Sequence, residues 1–128
     1  MRLLLDTHAL AWWLLEDEHL PPRMFGLLAD SGNQVHVSAV SAYEAVSKHR
    51  LGKWPEIGPL AAAFEEIVSG QRFELLPISA RHAVRAGLFP AEHRDPFDRM
   101  LAAQAELEAL LLVTNDRRLQ DFGTRTIW

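Results

Sequence analysis

The stretch Leu3-Leu4-Leu5-Asp6-Thr7-His8-Ala9-Leu10-Ala11-Trp12-Trp13-Leu14-Leu15 decides how the rest of the chain is read. Leu3 to Leu5 form a short continuous apolar run that ends on Asp6, and from Ala9 to Leu15 the apolar residues recur at helical spacing. That is strand, turn, helix. Pro21-Pro22 opens a second helix, because proline is tolerated in a first turn, and Gly32-Asn33 supplies its stop. Val35 to Val37 is a second strand, and Ser38 is the N-cap of a helix that reaches Arg50, with Gly52 beyond its end.

Further along, the pattern repeats. A helix runs from Pro59 toward Gly70, with Leu60, Phe64 and Ile67 or Val68 on one apolar stripe. Phe73 to Ile78 is a short strand interrupted near Pro77, and Ser79 caps a helix through Leu88. After the polar loop 89–94, Asp95-Pro96 starts a helix with Asp as N-cap and Pro at the first helical position, buried through Phe97, Met100, Leu101 and Ala105 and ending near Ala109. Leu110 to Val113 is a strand, Asn115 can cap a short helix through Phe122, and Thr124 to Ile127 is a last strand. Strands alternating with helices predict an α/β sandwich around a mainly parallel sheet.

The 128 residues fit one domain, 1–128, with no linker, repeat or low-complexity segment. Apolar and charged fractions of 48% and 23% are those of a folded globular protein. With no cysteine, the chain forms neither a disulfide framework nor a thiolate zinc site, and the cytoplasm is the expected compartment. The apolar start resembles a signal peptide only superficially. Asp6 and His8 interrupt it, and no small-residue cleavage site precedes Glu16, Asp17 and Glu18. No run approaches the roughly 20 apolar residues of a membrane span, so no membrane partner is expected.

The net charge of -4 argues slightly against a nucleic-acid binder, but its distribution matters more than its total. Basic residues gather at Lys48, Arg50 and Lys53, at Arg81 and Arg85, and at Arg94, Arg99, Arg117 and Arg118, beside acidic clusters. Either they are solvated salt-bridge partners or they form a phosphate-binding rim around an acidic centre.

Ligands of open parallel sheets bind beyond the carboxyl ends of the strands. Asp6 and Asp116 sit there, each just after a predicted strand. Asp98 lies in the first turn of a helix, where the helix dipole favours an ionised carboxylate, and Glu44 lies about two turns into the helix after the second strand. Each also has a plain local reading. Asp6 and Asp95 suit helix caps, Glu44 can close a capping box with Ser41 or pair with Lys48, and Asp116 can stabilise a helix start. Taken together, clustered carboxylates repel one another unless a hard divalent cation holds them.

Leu4-Leu5-Asp6-Thr7-His8, Ser38 through Glu44 to Lys48, Asp95-Pro96-Phe97-Asp98-Arg99 leading into Leu101-Ala102-Ala103-Gln104-Ala105, and Thr114-Asn115-Asp116 form an ordered set. This set resembles PIN-domain proteins, especially VapC-type toxins of bacterial toxin–antitoxin pairs, and covers almost the whole chain. The resemblance implies a three-layer α/β/α domain, an endoribonuclease activity needing Mg2+ or Mn2+, and inhibition by a cognate antitoxin. Carried over residue by residue, the acidic set falls on Asp6, Glu44, Asp98 and Asp116, with Asp6 and Asp98 as principal metal ligands. Asp98 stands at the family's usual distance from Leu-Ala-Ala, while Asp95 fits the cap. Thr7, Asp95 and Thr114 support the site, and Lys48, Arg94, Arg99 and Arg117 are the expected phosphate contacts. The implied partners are RNA, with transfer RNA a family-level expectation, an antitoxin protein and a second copy in a homodimer.

Rival readings lack residues they need. A haloacid-dehalogenase phosphatase uses Asp-x-Asp-x-Thr, and His8 occupies the second acidic position. A receiver module needs a Lys after a late strand, and Asn115-Asp116-Arg117 offers none. The six histidines, at 8, 19, 36, 49, 82 and 93, show no zinc-ligand spacing. A PIN-like module whose main role is partner binding is the alternative, with Trp12, Trp13, Met24 and Phe25 either an exposed patch or core.

Overall fold

The computed structural model describes residues 1–90 and 92–128. Five strands, β1 (Arg2–Leu5), β2 (Gln34–Ser38), β3 (Glu74–Leu76), β4 (Leu111–Val113) and β5 (Thr126–Ile127), form one sheet in the order β3-β2-β1-β4-β5. All pairings are parallel, with Leu5 opposite Val37 on one side and Val113 on the other.

The Leu3-Leu4-Leu5 run takes the central position because it alone among these strands presents three consecutive fully buried leucines. The strand pleat turns successive side chains to opposite faces. Leu3 and Leu5 therefore join Val35, Val37 and Val113 in one core, while Leu4 joins Leu112 in the other. Helices cover both faces. On the first lie α1 (Thr7–Leu14), α2 (Pro22–Ala29), α4 (Gly58–Ala62) and α5 (Phe64–Gly70), which bury Leu10, Met24, Leu60 and Val68. On the second lie α6 (Ala80–Leu88) and α7 (Pro96–Leu107), which bury Ala86, Leu101 and Ala102. The helix α3 (Ala39–Arg50) reaches both cores, through Ala45 and Val40. This is the expected α/β/α sandwich.

Two local expectations fail. The single helix expected from Pro59 to Gly70 is broken at Ala63, whose backbone (φ -144, ψ 50) leaves the helical region. Leu60, Phe64 and Val68 nevertheless reach one core, which is why the apolar stripe looked continuous. The short helix after β4 is a 3-10 turn, Arg117–Phe122, and its cap is Asp116, not Asn115: the Asp116 carboxylate accepts from Arg118 N–H at 3.0 Å. A 3-10 turn ends where Gly123 adopts φ 75, a left-handed conformation that glycine takes without a Cβ penalty.

No described helix is long and apolar enough to cross a membrane.

Candidate active site

The sheet order places a switch point beside β1, because the chain proceeds from β1 to β2 and β3 on one side and to β4 and β5 on the other. Loops diverge there and leave a crevice at the carboxyl edge. Asp6 leaves β1 at this edge, its N–H bonded to Val113 O at 3.1 Å, and its carboxylate caps α1 by accepting from Ala9 N–H at 2.7 Å. Glu44 projects from α3, which Ser38 starts by accepting from Val40 N–H. Asp98 stands in the first turn of α7, whose N-cap Asp95 accepts from Phe97 and Asp98 N–H at 2.9 and 3.3 Å. Asp116 follows β4.

These residues converge on a cleft of about 500 Å³, lined by the carboxylates of Asp6, Glu44, Asp95, Asp98 and Asp116 together with Thr7, His8, Trp12, Lys48, Asn115 and Arg118. Among the described residues, three of these carboxylates carry a basic partner. Lys48 reaches Glu44 at 2.6 Å, His93 Nε2 reaches Asp98 at 2.7 Å, and Arg118 grips Asp116 with its closest contact at 2.7 Å. Threonines brace the floor. Thr7 donates to Ser41 Oγ at 2.9 Å, tying α1 to α3, and Thr114 Oγ1 accepts from Asp116 N–H at 3.0 Å while its hydroxyl hydrogen-bonds Asp6.

Burial dominates the chemistry of Asp6. It pushes the carboxyl from its ordinary 3.8 up to about 6, against the hydrogen bonds from Thr114 and Ala9, and the charges of Asp98 and Glu44 push the same way. Asp98 is also raised, by burial first, with His93 opposing and Asp95 and Asp116 adding. Asp116 is lowered, chiefly by the Arg118 hydrogen bonds. Among the described residues no three His, Asp or Glu side chains are close enough, as they stand, to enclose an ion. Magnesium requires less, because one or two carboxylates and several waters complete its shell. Hard oxygen donors whose ionised forms are disfavoured by burial and by one another fit such a cation.

The sequence matches the family profile described as PIN domain over residues 3–124. The chain belongs to the PIN-domain family. Comparison with curated protein sequences returns no match. Among solved structures, the PIN fold of this chain is similar to that of VapBC2 from Rickettsia felis, a complex bound to a DNA fragment from its promoter. TM-score is 0.72 at 19% identity, over 99% of this chain and 98% of that one. It is also similar to VapBC-1 from nontypeable Haemophilus influenzae (TM-score 0.70, 15% identity, 99% and 97% covered). FitAcB from Neisseria gonorrhoeae gives TM-score 0.64 at 19% identity, with 100% and 97% covered.

Of the residues expected in this PIN domain's site, Asp6, Glu44, Asp98, Asp116, Thr7, Asp95 and Lys48 line the cleft, and Thr114 lies beneath it. The expected phosphate contacts divide. Arg94 and Arg117 are exposed and lie outside the cleft lining. Arg99 is turned away: its guanidinium donates to the carbonyls of Ala86, Phe89 and His93 at 2.9, 2.6 and 3.0 Å, pinning the segment ahead of α7. Arg118, which the sequence groups with the basic residues but does not single out, lines the cleft instead. His8 and Trp12 were also missed as site residues. Their i, i+4 spacing on a helix beginning at Thr7 puts both on one face, one turn from Asp6, and that spacing was legible. Trp13 and Met24 belong to the core, Met24 fully buried and Trp13 against Phe25 and Phe73.

Proposed function

We infer that this PIN-domain protein is a metal-dependent endoribonuclease, the toxin of a toxin–antitoxin pair. One observation carries the reading: Asp6, Glu44, Asp98 and Asp116, up to 110 residues apart in sequence (116 minus 6), line a single cleft at the switch point of the sheet. Burial and neighbouring carboxylates disfavour the ionised forms of Asp6 and Asp98 in the empty fold, a cost that a bound cation would offset.

Asp6 and Asp98 are the principal ligands for magnesium or manganese, with Glu44 and Asp116 completing the site through water or directly. A divalent ion in this position supplies positive charge that acidifies a water and neutralises the phosphodiester. The chain's own residues do the rest. Asp95 and the α7 N-terminus hold Asp98 facing the cleft, Lys48 and Arg118 orient Glu44 and Asp116, and both cations stand where they can meet RNA phosphate oxygens. Water adds to phosphorus as the P–O ester bond breaks, and the departing oxygen takes a proton. The toxin assignment is supported by the fold shared with the VapBC and FitAcB proteins, and an antitoxin and a second copy of the chain are the partners it implies.

The test is cleavage of a structured RNA pool by wild type, Asp6→Asn and Asp98→Asn, each with magnesium, manganese or EDTA, after circular dichroism shows equal folding. Cutting by wild type with metal, and by neither variant, is expected. Equal cutting by Asp98→Asn, or cutting undiminished in EDTA, overturns the assignment.

A further inference from the structure

Beside the acidic cleft stands a ladder of rings. The imidazole of His8 stacks on the indole of Trp54, with centroids 4.8 Å apart and planes at 26°. Trp12 lies 5.6 Å from His8 at 53°, and it in turn stacks on His19 at 5.1 Å and 19° and meets Trp128 edge-on at 5.7 Å and 65°. His8 and Trp12 line the cleft that contains Asp6, and His8 is exposed.

Core packing explains only part of this. The buried-side Trp13 has its indole N–H satisfied by Gln71 Oε1 at 3.0 Å. Among the described residues, the indole N–H groups of Trp12 and Trp54 and both ring nitrogens of His8 have no protein partner, and none of them is a buried orphan. None of these groups is sealed from solvent, and His8 and Trp12 belong to the cleft lining. Buried tryptophans find a partner for the indole N–H, whereas those at binding surfaces leave it to the ligand. Lys48 joins the two features: its ammonium pairs with Glu44 in the cleft and also lies 5.9 Å from the Trp54 ring centroid.

We propose that His8 and Trp12, backed by Trp54, form a stacking ledge that seats an unpaired nucleobase of the RNA next to the phosphate in the acidic cleft. The inference rests on the ribonuclease reading and adds to its site a seat for the base beside the cut. Flat rings stack on any base without reading its edge, so the ledge selects strandedness and not sequence. Bases inside an A-form helix keep their faces against one another and have none to offer. A base next to the reacting phosphate, held on the ledge, gives the RNA binding energy that is present both before and during the cut.

The experiment uses a random-sequence RNA pool, single-stranded or annealed to its complement, with calcium replacing magnesium for binding by fluorescence anisotropy and magnesium restored for cleavage. Wild type, His8→Ala, Trp12→Leu and Trp12→Phe are compared after circular dichroism. Wild type is expected to bind and cut the single strands and to leave the duplexes intact. His8→Ala and Trp12→Leu should each bind single strands about tenfold more weakly, an effect of the size that loss of one stacked base produces. Their KM should rise while kcat holds, and Trp12→Phe, which keeps a ring, should recover most of the affinity. His8 is exposed, so His8→Ala decides the matter even if Trp12→Leu unfolds. Unchanged single-strand affinity in folded His8→Ala, or duplex cut as well as single strand, overturns the ledge while leaving the nuclease intact. A wild type that cuts neither pool with magnesium overturns the nuclease reading and the ledge with it.

Discussion

Replacing Asp6 by Asn should make the metal-free protein more stable, although it removes the central carboxylate of the site. An acid whose pKa climbs from 3.8 to about 6 on folding has its ionised form disfavoured by about 3 kcal/mol. The sign follows from proton binding. Between those two values the folded state holds a proton that the unfolded state has lost, so this group's stabilisation is full below pH 3.8 and is lost as pH rises through 6. Asn carries no such penalty, and its side-chain oxygen can still accept from Ala9 N–H, because Asn caps helices as well as Asp does. The variant's advantage should therefore grow from about 1 kcal/mol at pH 4.5 to about 3 kcal/mol at pH 7.5. Urea unfolding followed by circular dichroism in EDTA reads this directly. With a slope of about 1.5 kcal/mol per molar, the pH 7.5 midpoint should rise by about 2 M. A variant less stable than wild type at pH 7.5, or a gap that does not change with pH, would refute the account of a carboxylate strained by burial.

Three further outcomes follow from the same structure. Magnesium should raise the urea midpoint of wild type at pH 7.5 and leave that of an Asp6→Asn, Asp98→Asn double variant unmoved, because a ligand stabilises only the state that binds it. Arg99→Ala leaves the carbonyls of Ala86, Phe89 and His93 without their charged donor, and should cost about 2–4 kcal/mol in unfolding free energy; Arg99→Lys, with one small donor group in place of a fork, should recover only part of that. Leu4→Ala, at a fully buried position, should destabilise by about 2–5 kcal/mol, whereas Leu88→Ala, at a residue 67% exposed, should stay within about 0.5 kcal/mol on the same urea curves.

Much of the site was legible because its carboxylates occupy positions that local rules already mark. Asp6, Asp95 and Asp116 are helix or turn caps, and Asp98 stands three residues after a cap. Those rules say where a helix starts, and parallel strands then bring the starts of α1, α3 and α7 to one edge of the sheet. Cations were less legible. Lys48 was found because its partner is four residues away on the same helix, a distance sequence fixes. Arg99 was misread because its partners belong to the segment ahead of α7 and the end of α6, whose path across the second core no periodicity encodes. Arg118 and Arg117 are neighbours of like charge, and only the turn geometry after Asp116 determines which one closes on it.

By itself the sequence determined the alternation of strand and helix, the central strand Leu3–Leu5, the caps and the four carboxylates, since these follow from apolar spacing and from hydrogen bonds made within a few residues. Tertiary structure alone decided the break at Ala63, the diversion of Arg99 into the fold, the clamp of Arg118 on Asp116, and the meeting of His8 with Trp54. The physical reason is range. Periodicity and capping act over one or two turns of chain, whereas a ring stack between residues 46 positions apart, or a carboxyl pushed up to about 6, exists only once packing has removed water and set distant groups side by side.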